Sequence, residues 1–262
     1  MQPLLSIITI NYNDAIGLQK TIISVVTQSF KDFEYLIIDG NSNDGSKTII
    51  EKYKNNIHFA VSEPDTGIYN AMNKGITIAK GKYLLFLNSG DILNGTKALF
   101  DFVNHTNFEG DIIYGDYQFK EGSKVYPDYL TPHFFMRTSL PHQSTFFKRE
   151  VFDAMGFYDE KYKIVSDRAF YIKCFLSNQF KFRHIHYPLS VFDLSGISND
   201  LNFKIRKEAE DEQVFKEYYS IYYEDYKNMI ILQNRYNQLK KQTISGIFKR
   251  IKNKIEYLCK IR

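Results

Sequence analysis

The sequence predicts an α/β chain built on a doubly wound, mostly parallel sheet and continued by a helical tail. Three observations carry this. Apolar runs of strand length at residues 4–10, 33–38, 57–61 and 83–87 alternate with helical patterns. Polar residues collect just past the end of each run, which is the edge where such sheets bind ligands. From residue 201 onward the pattern is helical and polar, with no strand signal.

Each element has a local reason. Residues 4–10 form a near-continuous apolar run, as expected of a strand covered on both faces. Asn13 and Asp14 offer N-caps for a helix whose apolar face holds Ile22, Val25 and Val26. The second strand, 33–38, ends in Asp39-Gly40-Asn41-Ser42-Asn43-Asp44-Gly45, a dense run of turn and cap residues. A helix through Thr48, Ile49 and Tyr53, a strand at 57–61, a helix at 68–79 and a strand at 83–87 complete a β-α-β-α-β-α-β order. Shorter strands are expected at 111–119 and 124–126, with a helix near 167–176. The domain reading is 1–205 for the α/β body, divided into 1–110 and a second subregion at 111–205, then a basic helical tail at 206–262.

The chain has 262 residues, 44% hydrophobic and 24% charged, which excludes a disordered protein and allows a core that folds without staples. Two cysteines, Cys174 and Cys259, are too few for a disulfide framework or a cysteine-rich zinc site. The net charge of +4 is a property of the tail: residues 235–262 hold nine Lys/Arg against the single acid Glu256, so the body is net negative. A nucleic-acid-binding body is not expected. Residues 1–8 lack the features of a signal peptide, and no run approaches the ~18 apolar residues of a membrane span. A cytoplasmic protein, soluble or peripheral on the inner face of the membrane, is the expectation.

Several motifs carry chemistry beside a structural alternative. Asp39 either closes a long turn or accepts hydrogen bonds from a nucleobase or ribose. Asn88-Ser89-Gly90-Asp91 follows an apolar strand, where a carboxylate either caps the next segment or meets a divalent cation whose shell is completed by substrate phosphate. Asp167 opens a helix, either as a cap or as a general base. His184 and His186 share one strand face, either as solvated histidines or as a two-imidazole metal site. The spacing of Gly75, Gly81 and Lys82 fails as a phosphate loop. No Gly-x-Gly-x-x-Gly follows the first strand, and neither Gly-x-Ser-x-Gly nor His-Glu-x-x-His occurs.

Taken in order, these segments resemble a known family, the inverting glycosyltransferases of family 2 with the GT-A fold. Residues 6–13 (Ser-Ile-Ile-Thr-Ile-Asn-Tyr-Asn) look like its opening strand, and residues 35–46 like its nucleotide-binding strand and loop. Residues 63–75 (Glu-Pro-Asp-Thr-Gly-Ile-Tyr-Asn-Ala-Met-Asn-Lys-Gly) are similar to its helix entry below the nucleotide. Asn88-Ser89-Gly90-Asp91 stands where the family carries Asp-x-Asp; residues 141–147 (Pro-His-Gln-Ser-Thr-Phe-Phe) and Ser166-Asp167 resemble its acceptor-side segment and base. The resemblance spans residues 4–198 and is greatest to the branch that builds colanic-acid-type surface polysaccharides. Two positions depart: Asp91 is the only motif carboxylate, and Met72 stands where many relatives have Arg.

The resemblance implies a nucleotide-sugar donor, a glycan or lipid-linked acceptor, and Mg²⁺ or Mn²⁺ held through Asp91. It implies a donor pocket drawn from Thr9, Asn11, Asn13, Asp39, Asp65, Asn73 and Asn88. Asp167 is the expected base, with His142 and Gln143 near the acceptor or sugar. The rival is a catalytically silent GT-A domain that binds polysaccharide or a partner enzyme. A nucleotidyltransferase is disfavoured, because residues 11–14 lack a basic Gly-rich loop. Independently of any family, Ile244, Ile247, Phe248, Ile251, Ile255 and Leu258 recur at helical spacing between Lys and Arg residues. That pattern suits either a helix packed on protein or one lying on an anionic membrane surface.

Overall fold

The structure is a computed structural model; it describes residues 2–119, 122–191, 201–243, 247–248 and 250–252. The chain divides into two compact units, residues 1–214 and 215–262. In chain order the first unit holds β1 (Leu5–Asn11), α1 (Ala15–Val26), β2 (Phe33–Asp39), α2 (Ser46–Lys52), β3 (Phe59–Ser62), α3 (Ile68–Ile78) and β4 (Tyr83–Phe86). There follow β5 (Ile92–Leu93), α4 (Ala98–Val103), β6 (Ile112–Phe119), β7 (Gly122–Lys124), α5 (Pro132–Arg137), β8 (Thr145–Lys148), α6 (Arg149–Met155), α7 (Ser166–Leu176) and β9 (Phe182–Val191). Helix α8 (Leu201–Tyr219) ends in the second unit, which also holds α9 (Tyr223–Gln242).

One sheet runs in the order β3-β2-β1-β4-β8-β6-β9-β5, with β7 paired to β6. The wound half, β3-β2-β1-β4, is parallel throughout, as crossovers through α1, α2 and α3 require. Beyond it the pairing is mixed. β8 runs antiparallel to β4 and β6, while β9 is parallel to β6. The strand expected at 124–126 lies earlier, as Gly122–Lys124, because the Tyr126 N–H leaves the ladder and donates to Asp116 Oδ1 at 2.9 Å. β3 starts at Phe59 rather than 57 and is an exposed edge strand, which explains its weak apolar signal.

Alternation along the strands divides the core in two. Leu5, Ile7, Tyr35, Ile37, Leu85, Ile113 and Phe146 pack under α1 and α4 with Leu18, Ile22 and Phe102. On the opposite face, the half of the sheet beyond β4 is aromatic. Phe152 stacks on Phe170 at 4.9 Å and Phe147 on Tyr171 at 5.3 Å. Such rings suit a core face because Phe and Tyr bury large areas with few rotatable bonds. Gly81 fits where it stands because a Cβ there would lie 2.4 Å from the Ser6 nitrogen.

Candidate active site

The carboxyl ends of β1, β2 and β4 converge. Beyond β1 the chain turns at Asn13, whose φ is 50°, and Asp14 caps α1 by accepting from the Gly17 N–H at 2.9 Å. The loop after β2 is fastened to it: Asn43 N–H donates to Asn13 Oδ1 at 2.9 Å, and Asn13 N–H to Ser42 Oγ at 2.8 Å. Asp39, fully buried, organises this junction. It accepts from Asn11 Nδ2 and Ser42 Oγ, each at 2.6 Å, from Ser42 N–H at 3.0 Å, and from the Ser62 hydroxyl. Burial alone would raise its pKa, but the bonds from Ser42, Ser62 and Asn11 outweigh burial and hold the carboxyl below its ordinary value.

These ends line an open cleft of about 650 Å³, whose walls include Asn11, Tyr12, Gly40, Asp65, Asn88 and Ser89. Tyr12 is 68% exposed there. A Cβ on Gly40 would meet Asp65 Oδ2 at 2.5 Å and the Tyr12 ring at 3.1 Å, so glycine lets the two side chains close over the loop. Asp65 Oδ1 accepts from Gly67 N–H at 3.0 Å, just before α3. Tyr12 was not singled out from the sequence; an aromatic residue between two asparagines at a strand end was the available signal.

The turn after β4 is tied to β1 and α1. Ser89 Oγ donates to Asn11 Oδ1 at 2.7 Å, and Thr21 Oγ1 to the Asp91 carbonyl at 2.8 Å. Asp91 Oδ2 accepts from Asn88 N–H at 3.1 Å, which closes the turn through Gly90 at φ 97°. Burial pushes the Asp91 carboxyl up to about 7, against the lowering effect of the Asn88 N–H. Asn88 Oδ1 is buried without a hydrogen-bond partner. Asn88 lines the cleft and Asp91 lies behind it, joined to it through the Asn88 N–H, so the orphaned amide oxygen and the carboxylate three residues on are two hard oxygen donors of one turn. Such a pair fits Mg²⁺ or Mn²⁺ once substrate oxygens complete the shell.

Asp167 lies in the first turn of α7, half-buried, with the Tyr69 hydroxyl 2.9 Å from its Oδ1 and 2.7 Å from the Ile164 carbonyl. Tyr69 follows Ile68, which lines the cleft, so the opening of α3 links the cleft to Asp167. His142 stacks on Phe86 at 4.9 Å, and its Nε2 lies 2.9 Å from the Tyr158 hydroxyl. Burial lowers the His142 pKa despite the nearby Asp167 charge, which keeps the imidazole neutral. Gln143 is buried in the turn before β8. The segment before α7 is held from α8: Glu210 accepts from the N–H groups of Lys163 (3.0 Å), Ile164 (2.8 Å) and Val165 (3.3 Å). Arg168, the residue after Asp167, pairs with Asp211 at 2.7 Å.

Of the expected pocket residues, Asn11, Asp65 and Asn88 line the cleft. Thr9 is fully buried within hydrogen-bond reach of the Tyr35 hydroxyl, at 3.0 Å, and Asp39 lies beneath the cleft floor. Asn13 is exposed in the loop junction. Asn73 faces away, donating to the Tyr158 carbonyl at 3.0 Å and accepting from the Tyr158 N–H at 3.0 Å. Met72 is buried in α3.

Comparisons with known proteins bear on this arrangement. A "PGL/p-HBAD biosynthesis glycosyltransferase" of Mycobacterium bovis is 29% identical over 213 residues, 76% of this chain and 80% of the relative. An uncharacterized glycosyltransferase of Mycobacterium tuberculosis is 31% identical over 182 residues, 66% of this chain and 70% of the relative. Among solved structures, Staphylococcus aureus TarS 1-349 in complex with UDP-GlcNAc superposes with a TM-score of 0.63 at 18% identity, covering 84% of this chain and 72% of that one. The chain spans 43% of the longer TarS structure. A Pyrobaculum calidifontis mannosyltransferase in complex with GDP-Man and Mn²⁺ gives a TM-score of 0.61 at 15% identity, over 83% of this chain and 64% of that one. These likenesses agree with a GT-A fold, and the model of the family described as "Glycosyl transferase family 2" matches residues 6–172, the stretch that runs from β1 through Asp167 into α7. The chain belongs to glycosyl transferase family 2.

Proposed function

We propose that the chain transfers a sugar from a nucleotide-sugar to a hydroxyl of a glycan or lipid-linked acceptor, with inversion, in surface polysaccharide synthesis. The observation that carries this reading is the cleft at the ends of β1, β2 and β4, joined through Tyr69 to a half-buried carboxylate on α7. UDP-GlcNAc and GDP-Man in the similar structures support a nucleotide-sugar as donor. Tyr12 offers an exposed ring for a nucleobase; Asn11, Asp65 and Asn88 offer polar groups to ribose and diphosphate. Asp39 holds Asn11 and Ser42 in place, and a base or ribose group reaching it must displace one of its four donors, of which Ser62 is the least buried.

Asp91 and Asn88 would hold Mg²⁺ or Mn²⁺, which when bound stabilises charge on the departing diphosphate. Asp167 Oδ accepts the acceptor's hydroxyl proton as that oxygen attacks the anomeric carbon. The carbon–oxygen bond to the phosphate breaks on the opposite face, the bond electrons leave with the nucleoside diphosphate, and a single displacement inverts the configuration. Tyr69 orients the Asp167 carboxylate from α3, and neutral His142 and Tyr158 border it. Thr9, Asn13, Asn73 and Gln143 support this frame.

A cytoplasmic placement on the inner membrane face suits a lipid-linked acceptor. No helix among the described residues is long and apolar enough to cross a membrane. In α9, Met229, Leu232, Tyr236 and Leu239 form an exposed apolar stripe at helical spacing. Of the tail positions expected to be apolar, Ile247, Phe248 and Ile251 are exposed; Ile244, Ile255 and Leu258 lie outside the described residues. The testing experiment measures nucleoside-diphosphate release across the common nucleotide-sugars with membrane extract as acceptor source. Release from one donor is expected. Nucleotide binding without release from any donor would favour the catalytically silent domain, the reading that the single motif carboxylate keeps open.

A further inference from the structure

Outside the cleft, β6 and β9 bring four chemistry-bearing side chains to one face of the sheet. Tyr114 and His184 are register partners and their rings stack at 5.0 Å. The register then shifts on either side of Asp116, where β9 advances from Ile185 to Pro188 to Ser190 against Gly115, Asp116 and Tyr117, so β9 carries the bulge. His184 is buried, with Nε2 2.9 Å from Asp116 Oδ1 and Nδ1 2.7 Å from Asp128 Oδ1. His186 Nε2 lies 3.0 Å from the same Asp128 oxygen, and the two imidazole centroids are 4.3 Å apart. Single donor atoms of Asp116, His184 and His186 all lie within 4.8 Å of one another. Asp116 is fixed from behind by the Tyr126 N–H at 2.9 Å. His186 and Asp128 are 61% and 54% exposed, which gives an ion a path from solvent.

We propose that His184, His186 and Asp128 form a binding site for a Zn²⁺-class divalent cation, with Asp116 orienting His184 from the interior. The donor set is two imidazoles and one carboxylate, which suits a borderline transition cation rather than the hard ions of a diphosphate site. Asp116 supplies the carboxylate–histidine pairing that fixes the ring nitrogen not bound to metal. Zn–ligand bonds of about 2.0–2.2 Å put neighbouring ligand atoms roughly 3.3 Å apart, so contacts now at 2.7 and 3.0 Å need open only a few tenths of an ångström. The exposed side chains of Asp128 and His186 can give that much. A bound cation ties β9 to the segment that leads from β7 into α5, and the fourth coordination position is left to water. None of these residues lines the cleft, so the site is separate from the donor site.

The test uses the full chain without a histidine tag and without nucleotide, titrated with Zn²⁺ by calorimetry and with Co²⁺ by visible absorption. One equivalent is expected to bind, with the Co²⁺ bands of a nitrogen and oxygen shell and a rise in melting temperature, since the ion binds only the folded sheet. His186→Ala, at an exposed side chain, should keep the far-UV spectrum and lose binding. Asp128→Ala should lose it too, and Asp116→Asn should weaken it by about 10–100-fold. Asp91→Ala should bind Zn²⁺ as wild type does, which separates this site from the cleft and its outcome from that of the transferase reading. Absence of saturable binding, or binding unchanged in His186→Ala, would overturn the proposal.

Discussion

Replacing Asp39 by asparagine keeps the shape of the side chain and removes its charge and one acceptor oxygen. Four donors converge on this buried carboxylate: the Asn11 amide, the Ser42 hydroxyl and N–H, and the Ser62 hydroxyl. The hydroxyls can turn and accept from a carboxamide, but a backbone N–H cannot. With the amide nitrogen at the Oδ2 position, the Ser42 N–H loses its partner; at the Oδ1 position, it opposes the Asn11 amide. One buried donor left unmatched costs about 1–3 kcal/mol. For a unit of this size that lowers Tm by roughly 2–12 °C. The pH dependence has a definite sign. The folded state holds Asp39 below its ordinary value, so its stabilisation is complete above the unfolded pKa of about 3.9. It is lost as pH falls through the lower folded value. Urea unfolding of both proteins from pH 7 to pH 3 should therefore show a stability gap that narrows below about pH 4. A gap that is absent at pH 7, or constant across the range, would refute the assignment of Asp39 as the anchor of the loop junction.

Three further outcomes follow from named contacts. Glu210→Gln should leave donor affinity within about twofold and lower turnover, because an amide nitrogen in place of one carboxylate oxygen leaves part of the N–H groups before α7, which set the place of Asp167, without an acceptor; calorimetry beside steady-state kinetics separates the two. Asp91→Ala should abolish the Mn²⁺ dependence of donor binding, and an unchanged Mn²⁺ requirement would place the ligand elsewhere. The full chain should pellet with anionic vesicles and be released by salt, whereas a chain ending at Lys241, which keeps the α9 stripe but loses six of the nine tail Lys/Arg, should pellet less; equal behaviour would favour a helix packed on protein.

The wound half of the fold was legible because β1, β2 and β4 are apolar runs covered on both faces, and Asp14 caps α1 as its position suggests. The mixed pairing of β8, β6 and β9 was not. Strand direction there depends on short connections whose partners are far apart in sequence, and no local periodicity records it. The Tyr126 N–H, turned to Asp116, shifted β7 in the same way. At the site, the polar strand ends pointed to the cleft, since residue position at a parallel edge fixes location. What was hidden is side-chain partnership. Nothing in the spacing shows that Asn73 turns to the Tyr158 backbone, that Glu210 holds the approach to Asp167, or that Tyr12 stands exposed over Gly40.

The central claim is that Asp167 takes the acceptor proton while the donor rests in the cleft between β1, β2 and β4. Asp167→Asn tests it most directly, with donor affinity measured by calorimetry and turnover by nucleoside-diphosphate release on the same preparation. The substitution should leave affinity near that of the wild type and lower turnover by about 10²–10⁴-fold, the usual worth of a general base. Turnover equal to the wild type, with affinity intact, would remove Asp167 from the chemistry and contradict the mechanism.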